Sequence, residues 1–222
     1  MQKLNTPIFK TDESEKFKYK LSKIFLIICV LFFTLIIYIN VTYSIAPVNG
    51  FSMYPTLNAL SMDGINNNDS VVLNYIKQYK KGDIIVAKKM VGSDEQFIYV
   101  IKRLIAVGGD ILQILSDGTV LVNGEEIEES YVTSTNKSST YNDFKNYINS
   151  NPEVDGKSIV EDEVLTIPKG YVFYLGDNRG GSYDCSSYGP VKANNIIAKV
   201  DFIIKYGENT FVSIFKQIFN IK

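Results

Sequence analysis

The sequence predicts a mainly β domain carried behind one N-terminal membrane-spanning helix. Three observations lead there. The 222 residues contain one long uncharged stretch, over 24–46, directly after a cluster of lysines. Beyond it, short runs rich in Val, Ile and Tyr recur between turn residues at strand-like lengths. Apolar residues make up 45% of the chain against 21% charged, enough to pack a core in a domain of ordinary size.

The helix comes first. Residues 1–23 hold six lysines (Lys3, Lys10, Lys16, Lys18, Lys20, Lys23) against Asp12, Glu13 and Glu15, while residues 47–222 carry a net charge of −4. At about 1.5 Å per residue, 23 helical residues reach roughly 34 Å, enough to cross a hydrocarbon core of about 30 Å. A soluble core helix would show a polar stripe, and none runs through Ile24–Ile39. The positive-inside rule makes 1–23 a cytoplasmic basic tail, 24–46 the transmembrane helix and 47–222 the extracytoplasmic domain. Ser44 and Ala46 superficially fit a cleavable signal peptide. The apolar core is too long for one, however, and Pro47 after the scissile bond would hinder docking of an extended strand. The segment reads as a retained anchor.

The expected strands follow in order: Ser70–Tyr75, Asp83–Lys88, Phe97–Val107, Asp110–Leu115 and Thr119–Val122, with hairpin turn signals at Asp117-Gly118 and Asn123-Gly124. Val164–Ile167, Tyr171–Leu175 and Asn195–Tyr206 continue the series. Residues 130–163 are polar and rich in Ser, Thr and Asn, predicting a long surface excursion with a short helix near Tyr141–Asn149. At the C-terminus, Phe211, Ile214, Phe215, Ile218 and Phe219 fall at helical spacing. Two readings stand for that face: packing against the domain, or contact with a membrane surface.

Composition narrows the chemistry. The chain has no histidine, which excludes a Ser-His-Asp or Cys-His mechanism and histidine metal sites. Two cysteines, Cys29 in the apolar stretch and Cys185 far downstream, supply neither a disulfide framework nor a four-cysteine zinc site. A net charge of −1 gives no electrostatic case for nucleic acid. The remaining nucleophile–base pair is a serine or threonine with a lysine. An ordinary lysine, with pKa about 10.4, is charged at neutral pH, but burial penalises the charged form and can release a neutral amine that takes a hydroxyl proton. Lys102, inside Phe97-Ile-Tyr-Val-Ile-Lys-Arg-Leu-Ile-Ala-Val107, and Ser52, inside Asn49-Gly-Phe-Ser-Met-Tyr-Pro-Thr-Leu57, fit these requirements.

Taken together, the motifs resemble those of bacterial type I signal peptidases, membrane-bound Ser–Lys endopeptidases, in the form with a single N-terminal anchor. Gly50-Phe-Ser-Met-Tyr-Pro-Thr-Leu57 resembles the nucleophile segment, Lys81-Gly-Asp-Ile-Ile-Val86 the following Gly-Asp strand, and Lys102-Arg-Leu-Ile-Ala-Val-Gly-Gly-Asp110 the Lys-Arg strand. Val120-Leu-Val-Asn-Gly-Glu-Glu-Ile127 resembles the family's Asn-Gly hairpin, and Gly176-Asp-Asn-Arg-Gly-Gly-Ser-Tyr-Asp184 its last catalytic segment. The resemblance implies antiparallel β-sheets with a smaller variable β region near 130–163. It implies Ser52 as nucleophile, Lys102 as general base, Ser182 orienting the lysine, and the Ser52 backbone N–H stabilising the oxyanion. Arg103, Asp177 and Asp184 become supporting residues, and Met53 packs beside the nucleophile. The implied partners are signal peptides of exported preproteins and the lipid bilayer, with no cofactor, no metal and a monomeric chain.

The sequence departs from the family pattern in four places. Gly50 stands where many members carry a serine that adds an oxyanion donor. Gly108 replaces a proline. Cys185 and Ser186 replace a Ser-Arg pair, which leaves Asp184 with Arg103 as its one expected cationic partner. Competing readings are a catalytically silent relative, a self-cleaving Ser–Lys protein and a specialised peptidase serving one secretion or pilus system. Ser52, Lys102 and Ser182 are all present, against the first; no Ala-Gly or Cys-Gly bond lies between Pro47 and Ser52, against the second.

Overall fold

The computed structural model describes residues 13–58, 67–76, 78–91, 96–133 and 137–219. It divides at Thr42 into a helical unit and a mainly β unit. The helix, α1, spans Glu13–Thr42, and its residues from Glu15 onward are long and apolar enough to cross a membrane. Both ends differ from the expected 24–46. Residues 13–23, expected as tail, are already helical, while the rest of the tail, 1–12, lies outside the described residues. At the other end Tyr43–Pro47 is a strand, β1. Five registered pairs with β2, Ser70–Asn74, claim those residues for the sheet.

The β unit continues through β3 (Ile84–Val91), β4 (Gln96–Val107), β5 (Ile111–Ile114), β6 (Val120–Val122) and β7 (Glu125–Glu126). Then come α2 (Lys137–Asn149), β8 (Glu153–Val154), β9 (Lys157–Ser158), β10 (Val160–Glu161), β11 (Val164–Thr166) and β12 (Tyr171–Leu175). The chain ends through α3 (Cys185–Tyr188), β13 (Val191–Lys192), β14 (Ile196–Ile204) and α4 (Thr210–Ile218). A seven-stranded sheet has the order β1-β2-β14-β3-β4-β12-β13, and a five-stranded sheet the order β10-β11-β5-β6-β7. The registered pairings are antiparallel throughout, as the resemblance implied.

The run Ile84-Ile85-Val86-Ala87 does not alternate because β3 is covered on both faces. Ile85 and Ala87 join the larger core with Leu104, Leu112, Phe173 and Leu175; Ile84 and Val86 join a second core with Met53, Leu57, Val71 and Leu73. Val48, Met53 and Leu57 thereby tie the loop after β1 to the sheet.

The polar stretch 130–163 is more embedded than expected. α2 begins at Lys137 and buries Thr140, Phe144 and Ile148, one face at four-residue spacing. Phe144 meets Phe173 edge to face at 6.3 Å. Its β content is the small β8–β9 hairpin and β10, which extends the five-stranded sheet.

The C-terminal helix also departs from the packing expectation. Along α4 and its C-cap, Phe211, Phe215, Ile218 and Phe219 stand exposed, while Ser213 is buried and Ile214 half-buried. Residues 220–222 of that stretch lie outside the described residues.

Candidate active site

Ser52 sits in a turn that is pinned from both sides. Upstream, Gly50 adopts φ +86°, a left-handed backbone that favours glycine, although a Cβ there would meet nothing. Downstream, Asn58 holds the loop closed. Its side-chain amide donates to the Val48 and Gly50 carbonyls at 2.9 and 2.8 Å, its backbone N–H donates to the Asp69 carboxylate at 2.8 Å, and its side-chain oxygen accepts from the Asp69 N–H at 2.8 Å. Lys205 donates to both Asp69 and the Thr56 carbonyl, at 2.9 and 2.6 Å. From the opposite side, the Asn178 backbone N–H donates to the Ser52 carbonyl at 3.0 Å and its amide to the Phe51 carbonyl at 3.1 Å.

Lys102 approaches from β4. It pairs with Ile85 across the β3–β4 ladder and roots in the apolar face that Leu104 continues. The residue is 4% exposed, and its Nζ lies 2.7 Å from Ser52 Oγ and 3.0 Å from the Ile101 carbonyl. Burial pushes its pKa down to about 8, with the like charge of Lys89 adding to the shift and Asp184 opposing it. A lysine at that value is partly neutral near pH 7, and a neutral amine at hydrogen-bond distance can accept the serine proton.

The supporting residues fall into two groups. Asp177 follows β12 and receives Arg103 through Nε at 2.9 Å and Nη2 at 2.6 Å, plus Thr56 Oγ1 at 2.5 Å. One buried carboxylate thus ties β4 and the Ser52 turn to the segment after β12. Arg103 also donates to the Gly82 carbonyl and stacks 3.8 Å over the Tyr131 ring. Asp184 does not pair with Arg103, contrary to expectation. Leu175 stands opposite Arg103 in the β12–β4 register, so the first carboxylate after β12 takes the arginine. Asp184 instead caps α3, accepting from the Ser186 N–H and hydroxyl at 3.1 and 2.9 Å, and from the Gly176 N–H at 2.8 Å.

Ser182 was expected to orient the lysine amine. Its Oγ is buried and has no hydrogen-bond partner, so that contact is not made. It nevertheless borders Ser52: a Cβ on Gly176 would lie 2.3 Å from Ser182 Oγ and 2.4 Å from the Ser52 carbonyl oxygen, so position 176 admits only glycine. Gly108 has a similar reason, since a Cβ there would meet the Pro168 carbonyl oxygen at 2.9 Å. Met53 is buried in the second core, the packing role expected of it. Cys185 is fully buried, and burial drives its thiol well above the usual range, which removes it as a nucleophile. Among the described residues no cluster suits a metal ion.

The dyad opens onto a cleft of about 590 Å³. Ser44 and Ala46–Gly50 line one wall and Tyr99–Lys102 another, with Val71, Leu73, Val86 and Ile197 also lining it. Both walls are strand edges. β1 is at the end of its sheet, and β12 pairs with β4 only from Arg103 onward. Such edges can pair with an extended chain laid between them.

Sequence reasoning missed Thr56, Asn58, Asp69 and Lys205. Thr56 stands inside the quoted nucleophile motif, and its hydroxyl was the available signal. The Asn58–Asp69 exchange joins residues eleven apart through a loop and has no local signature.

A signal peptidase S26 family model matches residues 19–205. The chain is 30% identical over 158 residues to signal peptidase I T of Bacillus subtilis, covering 70% of each. It is 32% identical over 160 residues to signal peptidase I of Bacillus caldolyticus, covering 70% of this chain and 75% of that one. It is also 32% identical over 157 residues to signal peptidase IB of Staphylococcus aureus, covering 70% and 74%.

Proposed function

The chain belongs to the S26 signal peptidase family, and from there we propose that it removes signal peptides from exported preproteins through a Ser52–Lys102 dyad, cutting after small residues at −1 and −3. The observation that carries the reading is the 2.7 Å approach of a buried lysine to a serine hydroxyl, in a chain without histidine. The substrate strand lies between the β1 edge and the first half of β4, with backbone pairing fixing its register. Neutral Lys102 takes the Ser52 proton as Oγ attacks the scissile carbonyl. The Ser52 backbone N–H stabilises the oxyanion; Gly50 offers no hydroxyl to assist it. The protonated lysine then donates to the leaving amine, and an acyl-enzyme ester remains on Ser52. Water attacks the ester as Lys102 accepts its proton, which releases the carboxylate of the signal peptide. Asp177, Arg103 and Thr56 hold the nucleophile turn against β4, and Ser182 offers its buried hydroxyl beside Ser52.

The same reading makes α1 a membrane anchor with the lysine-rich end in the cytoplasm and the β unit outside, where preproteins emerge. The test is cleavage of an Ala-x-Ala preprotein by the detergent-solubilised full chain. Native protein should release the mature product and Ser52→Ala should not. Equal cleavage by Ser52→Ala would sink the nucleophile assignment.

A further inference from the structure

Arg103 is the residue after Lys102, and Arg179 the residue after Asn178. Asp177 takes the first of these arginines. Arg179 turns inward instead. Its side chain is 0% exposed, and Nη2 pairs with the Glu129 carboxylate, itself 3% exposed, from the loop after β7. Nε donates to the Gly176 carbonyl at 3.2 Å, which folds the arginine back along its own segment. The Arg179 carbonyl accepts from Ser139 Oγ of α2 at 3.1 Å, and the Asn178 carbonyl from the Gly181 N–H at 3.0 Å. The chain is thereby fixed on both sides of Asn178.

Asn178 carries that order to the Ser52 turn. Its amide donates to the Phe51 carbonyl at 3.1 Å and its N–H to the Ser52 carbonyl at 3.0 Å. The Phe51 carbonyl and the Ser52 N–H are the two ends of one planar peptide unit. Holding the carbonyl fixes the direction of the N–H, and a hydrogen bond to the carbonyl polarises that N–H as a donor. This N–H is the oxyanion donor of the reaction proposed above, with no hydroxyl at Gly50 to assist it.

We propose that Glu129 is a positioning residue for the oxyanion donor, acting through Arg179 and Asn178. The inference rests on the Ser52–Lys102 reading. Energetics separate it from plain packing. An apolar side chain could fill this enclosed site without desolvating a charge. Arg179 does desolvate one, and its Nη1 is buried with no hydrogen-bond partner among the described residues. What an apolar side chain could not do is hold the Gly176 carbonyl. Among the described residues Glu129 is the carboxylate paired with this buried cation, so removing its charge releases Arg179 from its place. Tyr131 Oη also donates to Glu129 at 3.4 Å while its ring stacks on Arg103, so the same carboxylate backs both arginines.

A double-mutant cycle on the detergent-solubilised full chain tests the proposal, with an Ala-x-Ala preprotein as substrate. Glu129→Gln should lower kcat about tenfold, less than the loss of an oxyanion donor outright. KM should hold, because the β1 and β4 edges are untouched, and so should the pH midpoint set by Lys102. Asn178→Ala should lower kcat at least as far. Glu129→Gln combined with Asn178→Ala should be no worse than Asn178→Ala alone. Losses that multiply, or a shifted midpoint, would overturn the inference. Glu129→Leu with Arg179→Met replaces the pair by apolar side chains, so that no buried charge is left behind. That variant should keep a cooperative melt and still show the low kcat; native kcat, or loss of the fold, would reduce the pair to a structural role. The dyad reading fails separately, by cleavage in Ser52→Ala.

Discussion

Two lysines lie on one face of the β3–β4 hairpin. Lys102 stands opposite Ile85, and Lys89 lies four residues farther along β3. Burial lowers the pKa of both. Lys102 is enclosed, its Nζ against the Ser52 hydroxyl and one carbonyl. Lys89 sits partly open, 3.8 Å over the Tyr183 ring and 4.4 Å over that of Tyr188. A cation over aromatic faces is stabilised as a cation, whereas a lysine sunk among aliphatic residues is stabilised by losing its proton. Two lysines on one surface therefore meet burial in different surroundings, aromatic rings and partial exposure for Lys89, one hydroxyl and one carbonyl for Lys102.

The strongest way to break this comparison is to forbid deprotonation at each position in turn. Lys102→Arg keeps a cation that cannot lose its proton, and preprotein cleavage should fall by about 10³-fold or more. Lys89→Arg should retain most activity, since arginine also stacks on aromatic rings. Ser52→Ala combined with Lys102→Ala should be no worse than either alone, because the two act as one unit. Substantial turnover by Lys102→Arg would remove the base.

The pH profile carries the next largest effect. The neutral fraction of Lys102 rises with pH, so kcat/KM should climb about tenfold per pH unit below the midpoint and level off above about pH 8. A flat profile from pH 5 to 9 with chemistry rate-limiting would contradict a lysine base.

Function here opposes stability. Below pH 8 the folded chain carries a buried charged lysine; between pH 8 and 10.5 folding releases that proton, and the penalty is relieved as pH rises. Lys102→Met should therefore abolish cleavage yet raise stability below pH 8, by at most about 3 kcal/mol from the drop between 10.5 and about 8. The gain should shrink toward pH 10.5. Urea melts at pH 7 and pH 9.5 would detect it, and a destabilised Lys102→Met at pH 7 would mean that the amine is better compensated than its burial implies.

These residues also mark how far the sequence could be read. Lys102 stood out as a candidate because the chain lacks histidine and this lysine is set in an apolar run, since burial is written in the neighbours, while its pairing with Ser52 was implied by the family resemblance. Eight strands were legible for the same reason. The partner of Asp184 was not, since choosing between Asp177 and Asp184 for Arg103 depends on the β12–β4 register, which no local pattern states. Nor was the orientation of α4. Four of the five apolar residues that spacing named stand exposed, Ile214 being half-buried, but the Gln217–Ile203 pairing joins segments that only the folded sheet brings together. The helix end at Thr42 was missed because pairing with β2 overrode an apolar stretch that local pattern reads as helix.

Asp184, which opposes the shift of Lys102, is itself held by Ser186 and two backbone N–H groups. Ser186→Ala should cost about 1 kcal/mol by removing one hydrogen bond to a buried carboxylate. Ser186→Arg should cost more, because a guanidinium would have to enter a position that is 2% exposed. Thermal melts of the two variants would decide; a stabilised Ser186→Arg would mean that Asp184 lacks compensation after all.

The smallest effect tests the electrostatic link between the two lysines directly. Lys89→Met removes a like charge near Lys102, so the pKa of Lys102 should rise toward its ordinary value. At this separation, with Lys89 partly in water, the midpoint should move up by only a few tenths of a pH unit. Cleavage at pH 7 should then drop about twofold while the plateau above pH 9 stays unchanged, since the intrinsic reactivity of the neutral amine is untouched. A merely structural role for Lys89 would lower the plateau as well. Raising the salt concentration should narrow the gap between native and Lys89→Met profiles, because screening weakens the same interaction. Profiles that coincide at low salt would separate the two lysines entirely, and the shift of Lys102 would then be due to burial alone.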